Sequence, residues 1–528
     1  MHALTATRWR TAPGWAAMVV LCTVLAAPLV VVLWSLVDPA GDVWRQMWET
    51  RLPGMIRDTL TLVAAVLTGT LVLGTGLAWL VTAYDFPLRR VVGWVLVAPL
   101  AMPGYVLGMV WLNTLSDPLG ARGVRSIWVC AAVLTFTLYP YVYLFARAAF
   151  REQSGHAVAA ARSLGCSPAR AFWRVTLPTA RPSLAAGAAL VAMEVLTDIG
   201  TVRMFNVSTI ADGVIRVWFD NGDRDAATEI AVLLVGAAVL LITAERLLRG
   251  RARYASTTGS LPTPPQRLSP LGSAGALLAA ATVITVAIAL PVRRLVLWAQ
   301  EAERNDQTAT VAGDLGYHLG NTVRIAGAAT ATCIVAGIAL TMVVRRRGRP
   351  GRVLGRLCTI GYAVPGPVVA IGTVVLLTTL ERHGLLPGGM LTVGTFAALI
   401  YALTVRFVAA GYQGTDSSMA KIPPQVVASA RTLGARPWRV ATRVELPLAR
   451  AGVLAAAALI AVDTVKELPI TLLLRPFGRD TLSVWVWQAT SQSLWSQAAL
   501  PSLAILAVGM VPVAVLLYAL ERGAEVVS

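Results

Sequence analysis

The chain has 528 residues, of which 56% are hydrophobic and only 14% charged, and its mean hydropathy is +0.67. That is too little polar surface to wrap a water-soluble globule of this size, so part of its solvent is lipid. The formal charge of +18 suits nucleic acid in a soluble protein, but in a membrane protein it also arises when Arg is retained on the cytoplasmic side, and its placement separates the two readings.

In chain order, apolar segments of about the 20 residues that a helix needs to cross a bilayer fall at 15–37, 59–81, 91–113, 126–147, 184–202 and 228–248. A second set follows at 273–292, 319–344, 357–379, 391–412, 450–472 and 498–519. The fold expected is all-α, a polytopic membrane protein of about 12 transmembrane helices. The basic start and apolar run at the N-terminus resemble a signal peptide, yet the run is long for one and suits an uncleaved first helix. Alternate connections are the basic ones: Arg8 and Arg10 precede the first segment, Arg246, Arg249, Arg251 and Arg253 follow the sixth, and Arg345, Arg346, Arg347, Arg349, Arg352 and Arg356 follow the eighth. The others, such as 203–227 and 293–318, are mixed in sign and are expected outside. Both termini are therefore expected in the cytoplasm, with lipid and not nucleic acid as the surroundings. Cys22, Cys130, Cys166, Cys333 and Cys358 are odd in number and scattered, and are expected as free thiols.

The stretch 254–270, with Pro262, Pro264, Pro265 and Pro270 among Ser and Thr, reads as a linker between a first half at 1–253 and a second at 271–528. Residues 161–181 (ARSLGCSPARAFWRVTLPTAR) align without gaps on 430–450 (ARTLGARPWRVATRVELPLAR), with about a dozen identities. Upstream, Met102-Pro103-Gly104 matches Val364-Pro365-Gly366. Spacing and identity together mark an internal repeat. Both copies follow the fourth span of their half, so the halves are parallel, pseudo-symmetric repeats of six spans.

Each repeated loop reads as helix, glycine stop, short helix and proline stop. Gly165 and Gly434 suit a left-handed helix end, and Pro168 and Pro437 suit the first turn of the next helix. Ser167 is placed to cap that helix in the first copy, and Arg436 replaces it in the second. Phe172 and Val175, or Val440 and Val444, form an apolar stripe beside Arg170 and Arg174, or Arg439 and Arg443. An amphipathic helix of this kind also suits a lipid surface.

The pattern resembles the signature loop of ABC importer permeases, in which Glu-Ala-Ala is followed after three residues by Gly and later by Leu-Pro. Here Ala159-Ala160-Ala161 leads to Gly165 and Leu177-Pro178, and Ala428-Ser429-Ala430 leads to Gly434 and Leu446-Pro447. The leading Glu is Ala in both copies, which weakens the case for a salt bridge to the ATPase at that position but not the case for docking. The resemblance implies that each loop docks on a separate ATPase subunit dimer, which holds ATP and Mg. This chain is expected to bind no cofactor, since its only lysines, Lys421 and Lys466, are not preceded by Gly as a P-loop requires.

Beyond each loop the chain returns to the membrane with carboxylates at matching places, Glu194 and Asp198, then Asp463 and Glu467. A separation of four puts each pair on one helix face near mid-membrane. Gly200 and Pro469 follow at equivalent positions and are expected to break both helices. Two readings stand open: the acids, with Lys466, line a cation-friendly pathway, or Lys466, Arg203 or Arg475 neutralises them in a buried network that holds the halves together. No metal-ligand set is defined.

The stretches EVLTDIGTVRMF (194–205) and KELPITLLLRPFGR (466–479), with DTLSVWVW and AALPSL after them, resemble the fused two-half iron(III)-type ABC permeases. That resemblance implies ferric iron handed over by an extracytoplasmic substrate-binding protein. Thiamine permeases share the architecture and are the alternative, with polyamine and phosphonate systems more distant. An ion-coupled secondary transporter is the competing class, but it leaves two coupling-type loops unexplained. His2, His156, His318 and His383 are too dispersed to suggest an enzyme.

Overall fold

The structure, a computed structural model, describes residues 12–37, 41–152, 161, 163–220, 222–249, 265–304, 308–358, 364–385 and 392–525. Among these it is helical apart from short turns and connecting loops and a two-residue parallel pairing of Tyr84–Asp85 with Gln266–Arg267. Each expected span falls largely on helix where its residues are described. Among the described residues, eight helices are long and apolar enough to cross a bilayer alone, and two bent pairs raise that to ten. The bent pairs are Arg89–Ala101 with Gly104–Val124, at 92°, and Pro437–Leu448 with Arg450–Val465, at 70°. The segments expected at 184–202 and 357–379 fall on the helices Leu177–Thr197 and Gly366–Arg382. Of the expected linker, only residues 265–270 lie among those described.

The chain folds as two compact units, one of Met1–Pro39, Asp314–Val484 and Ala507–Ser528, the other of Ala40–Gly313 and Trp485–Leu506. These units cut across the sequence repeat. In the first, helix Ala12–Trp34 packs on Gly366–Arg382, where Gly372 lets the backbone carbonyl of Pro28 come against it. Cys22, on that helix, is disulfide-bonded, contrary to the expectation from sequence spacing, because packing sets which cysteines meet. Cys130, Cys166 and Cys333 are free thiols. In the second unit, the helical stretch Pro270–Arg304 packs on Gly104–Val124, with Trp111 Nε1 donating to Val286 O at 3.2 Å and Arg294 Nη2 to Asn113 Oδ1 at 3.0 Å.

Small residues set the helix crossings, since lipid-embedded helices gain from close backbone approach rather than from hydrophobic exclusion. A Cβ on Gly74 of helix Leu52–Ala83 would lie 2.9 Å from Tyr139 O, and one on Gly337 would lie 2.6 Å from the carbonyl carbon of Gly411. π-helical turns occur at Phe172–Thr176, Thr285–Ala289 and Ala441–Glu445, and each ends two residues before a proline: Pro178, Pro291 and Pro447. Proline lacks the N–H and crowds the carbonyl four residues back, and a widened turn relieves both. At Pro178 and Pro291 the chain stays helical, so the expected proline stop of the first loop is a bulge instead.

Candidate functional site: two repeated loops and two broken helices

The second loop is described throughout. Helix Pro424–Thr432 carries Ala428 and Ser429 exposed and Ala430 half-buried, and ends at Gly434, whose φ is +79°. Helix Pro437–Val440 starts without a side-chain cap at Arg436, as its sequence predicts. Leu446 is half-buried and Pro447 exposed. In the first loop Ala159 and Ala160 lie outside the described residues; Ala161 is half-buried, and Gly165 has φ +84°. Ser167 Oγ accepts from Arg170 N at 3.3 Å and so caps the helix starting at Pro168. Leu177 and Pro178 are half-buried. Leu164 and Leu433, one residue before each glycine, are 85% and 87% exposed, and Trp173 and Trp438 project from the short helices. Each loop thus offers an apolar tip flanked by arginines, which is the makeup of a surface awaiting a partner.

Both helices break, as predicted, but the break comes at the second acid of each pair and not after it. Leu177–Thr197 ends at Asp198, and Gly200–Met204 follows; Arg450–Val465 ends at Lys466, and Pro469–Leu474 follows. The shared helix face expected of each pair therefore stops short, because Asp198 and Glu467 turn to cap the next helix. Asp198 Oδ1 accepts from Thr201 N at 2.9 Å and Val202 N at 3.1 Å, and its Oδ2 accepts from Thr201 Oγ1 at 2.7 Å. Glu467 Oε1 accepts from Ile470 N at 2.8 Å and its Oε2 from Thr471 N at 3.0 Å. A carboxylate in this place satisfies orphan N–H groups that lipid cannot.

In the second copy the two acids face different cations. Lys466 Nζ lies 3.1 Å from Asp463, whereas Glu467 faces Arg406 at 3.7 Å with both side chains buried. Arg203 and Arg475 do not serve these acids: Arg203 pairs with Asp212 at 3.1 Å and Asp220 at 3.7 Å, and Arg475 with Asp480 at 3.0 Å. Asp212 also meets Arg216 at 2.5 Å, and burial pushes its carboxyl above the ordinary range against the pull of both arginines. Glu194 is half-buried one turn before Asp198. The Pro-Gly motifs lie against the same carboxylates, since a Cβ on Gly104 would come 3.3 Å from Asp198 Oδ2 and one on Gly366 3.3 Å from Glu467 Oε1. Sequence reading missed Arg406, although it is the one charged residue of the segment 391–412 and a charge inside a span marks a partner or a function. It also missed Thr201 and Thr471, whose position three or four residues after an acid fits a cap. Among the described residues, no group of three or more His, Cys, Asp or Glu is disposed to hold a metal ion.

Fold and loops define a polytopic helical protein built of two permease halves. The chain belongs to the family of binding-protein-dependent transport system inner membrane components, whose model matches residues 70–302 and 333–525. It is a multi-pass transport subunit of an ABC importer, not an enzyme. It is 24% identical to the Fe(3+)-transport system permease protein FbpB 2 of Haemophilus influenzae over 88% of this chain and 90% of that one. It is 27% identical to the sulfate transport system permease protein CysT of Escherichia coli, over 46% of this chain and 95% of the relative. For the molybdate/tungstate permease WtpB of Thermococcus kodakarensis the identity is 26%, over 43% and 91%. Of solved structures, a bacterial alginate ABC transporter in complex with a periplasmic protein aligns over 48% of this chain and 94% of its own at 17% identity, and its TM-score of 0.39 is too low to say more about the fold.

Proposed function

We propose that the chain carries ferric iron, handed over by an extracytoplasmic binding protein, across the bacterial inner membrane into the cytoplasm, with both termini cytoplasmic. The observation that carries this reading is coverage. The similarity to the Fe(3+) permease runs through both halves, whereas the sulfate and molybdate/tungstate relatives match about half of the chain. Those relatives make an oxyanion the second reading. The acids do not separate the two, because Asp463 and Glu467 face cations of their own.

In the mechanism proposed, ATP and Mg bind to a separate ATPase dimer, on which the tips at Leu164 and Leu433 dock. Closure of that dimer drives each loop as a lever hinged at Gly165 or Gly434, and the adjoining broken helix moves with it. Glu194, Asp198, Asp463, Lys466 and Glu467 then stand beside the route of the cargo. The test is uptake of radiolabelled ferric iron, sulfate, molybdate and thiamine in cells lacking the gene and in the same cells with it restored. Iron uptake that returns with the gene supports the reading; return of sulfate or molybdate uptake alone replaces iron with an oxyanion.

A further inference from the structure

The two halves share one local design through their broken helices and then differ in length. In the first half, Thr209 caps helix Ile210–Phe219, and Ile210 N donates to Thr59 Oγ1 at 3.0 Å. In the second, Thr481 stands ahead of helix Leu482–Ser491, with its Oγ1 accepting from Val484 N at 3.4 Å, and Leu482 N donates to Thr322 Oγ1 at 2.9 Å. Between Asp198 and Thr209 the first half is three residues shorter than the second is between Glu467 and Thr481. The extra length forms the loop 475–480, Arg-Pro-Phe-Gly-Arg-Asp, in which Phe477 is fully exposed and Gly478 takes φ +69°.

This loop is held firmly from below. Tyr317 Oη donates to Gly478 O at 3.0 Å, and Asn321 Nδ2 donates to Asp480 O at 3.3 Å. His318 Nδ1 is hydrogen-bonded to the same Asp480 oxygen at 2.9 Å, and Arg475 is ion-paired with Asp480 at 3.0 Å. An exposed phenyl ring gains nothing in water, and fixing the backbone beneath it carries an entropic penalty. A rigid turn that aims one aromatic ring outward has the makeup of an interface anchor, because a preorganised ring loses little freedom on docking. On the topology expected from the arginine distribution, the stretch from Arg450 onward carries the chain across the bilayer and places this loop outside, opposite the repeated loop at 428–447.

We propose that the loop 475–480 is a docking knob for the extracytoplasmic substrate-binding protein, with Phe477 filling an apolar pocket rimmed by acidic side chains that meet Arg479. The proposal rests on the reading above that such a protein delivers the cargo. A protein partner fits better than a lipid headgroup layer, because a lipid anchor needs no fixed geometry and this loop is pinned at three backbone or side-chain points. The pinning also gives docking a consequence: the loop follows directly from helix Pro469–Leu474, whose first turn is capped by Glu467 of the buried Arg406 pair.

The test uses the full permease–ATPase complex in nanodiscs and the purified binding protein that stimulates ATP hydrolysis by the wild-type complex, loaded with ferric iron. Phe477→Asp is expected to weaken its binding about tenfold to a hundredfold, with basal ATP hydrolysis unchanged. Arg479→Glu is expected to weaken binding less and to flatten its salt dependence. Neither side chain is buried, so both variants should fold. A wild-type Kd for Phe477→Asp overturns the knob alone. If no binding protein stimulates the wild-type complex, the delivery reading fails and the knob falls with it. Repeating the binding in detergent identifies a lipid anchor: a defect present in nanodiscs and absent in detergent belongs to the bilayer and overturns the proposal.

Discussion

The buried pair Arg406–Glu467 yields the sharpest prediction. At 3.7 Å, two unit charges attract by about 4–5 kcal/mol at an effective dielectric of about 20, a gain that desolvation of both groups reduces. Glu467 also accepts two backbone N–H groups of the next helix, each worth about 1.5–3 kcal/mol because the acceptor is charged. Glu467→Ala strips the cap and takes this carboxylate from a buried guanidinium, so a loss of about 3–5 kcal/mol is expected. Glu467→Gln keeps one acceptor but turns an NH₂ toward the other N–H, and should cost about 2–3 kcal/mol. Adding Arg406→Leu to Glu467→Gln removes the guanidinium that has lost its carboxylate, so the double variant should be more stable than the sum of the singles by at least about 1.5 kcal/mol. Gly366→Ala should destabilise for a related reason, because its Cβ would press on the Arg406 guanidinium, and the effect should shrink in an Arg406→Ala background. The assay is reversible unfolding of the purified permease in bicelles, read as a double-mutant cycle. Additivity within about 0.5 kcal/mol would refute the pairing as a stabilising interaction and leave Glu467 as a cap alone.

The first half should respond differently. Asp198→Asn keeps an oxygen for the two backbone N–H groups and lets its amide donate to Thr201 Oγ1, so it should cost less than about 1 kcal/mol while Asp198→Ala costs about 2; equal losses in unfolding would contradict the capping geometry. Gly165→Val and Gly434→Val meet no atom within 4 Å but must hold a branched side chain at φ +84° and +79°. They should strain the loops by about 1–3 kcal/mol and lower transport per ATP hydrolysed with little loss of purified protein, and unchanged coupling in reconstituted vesicles counts against the levers. Gly337→Ala drives a methyl group into the Gly411 backbone and should sharply reduce folded yield, whereas Gly316→Ala, with nothing within 4 Å, should leave it unchanged. Glu194→Gln with Asp463→Asn should cut ferric uptake at least tenfold at unchanged complex yield if these acids serve the route; loss of the complex instead makes them structural.

The features legible in the sequence were those that repeat or that one residue dictates. The spans follow from uninterrupted apolar length, the loop hinges from Gly165 and Gly434 at one offset, and the helix breaks from the neighbourhood of Gly200 and Pro469. The Ser167 cap and its absence at Arg436 were equally local. What escaped depended on partners distant in sequence. The sequence places Glu467 four residues after Asp463, which suggests a common helix face, yet the favourable outcome is for its carboxylate to leave that face and serve the N–H groups of residues 470 and 471. Arg406, 61 positions before Glu467 in the chain, was chosen as its partner over Lys466, which bonds Asp463 three residues away. The fate of Cys22 and the packing of helix Ala12–Trp34 on Gly366–Arg382 were hidden for the same reason, since only the folded chain brings Pro28 to Gly372.

The repeat itself contains the most functional information where it fails. Equivalent threonines, Thr59 with Thr209 and Thr322 with Thr481, hold the two halves to one local design. Against that shared frame, the departures stand out: an arginine partner for Glu467 where Asp198 is served by Thr201 and Val202, and three added residues that raise Phe477. An importer that receives cargo from one protein has a reason to make its halves unequal, because a single partner cannot present the same surface to both. The asymmetric features of the second half follow one another along the chain, from Arg406–Glu467 through Pro469–Leu474 to the loop at 475–480. A load on the knob would therefore reach the buried ion pair through a helix of six residues. Glu467→Gln should then weaken the stimulation of ATP hydrolysis by the binding protein while leaving its Kd near the wild-type value, a split that a purely structural defect would not produce.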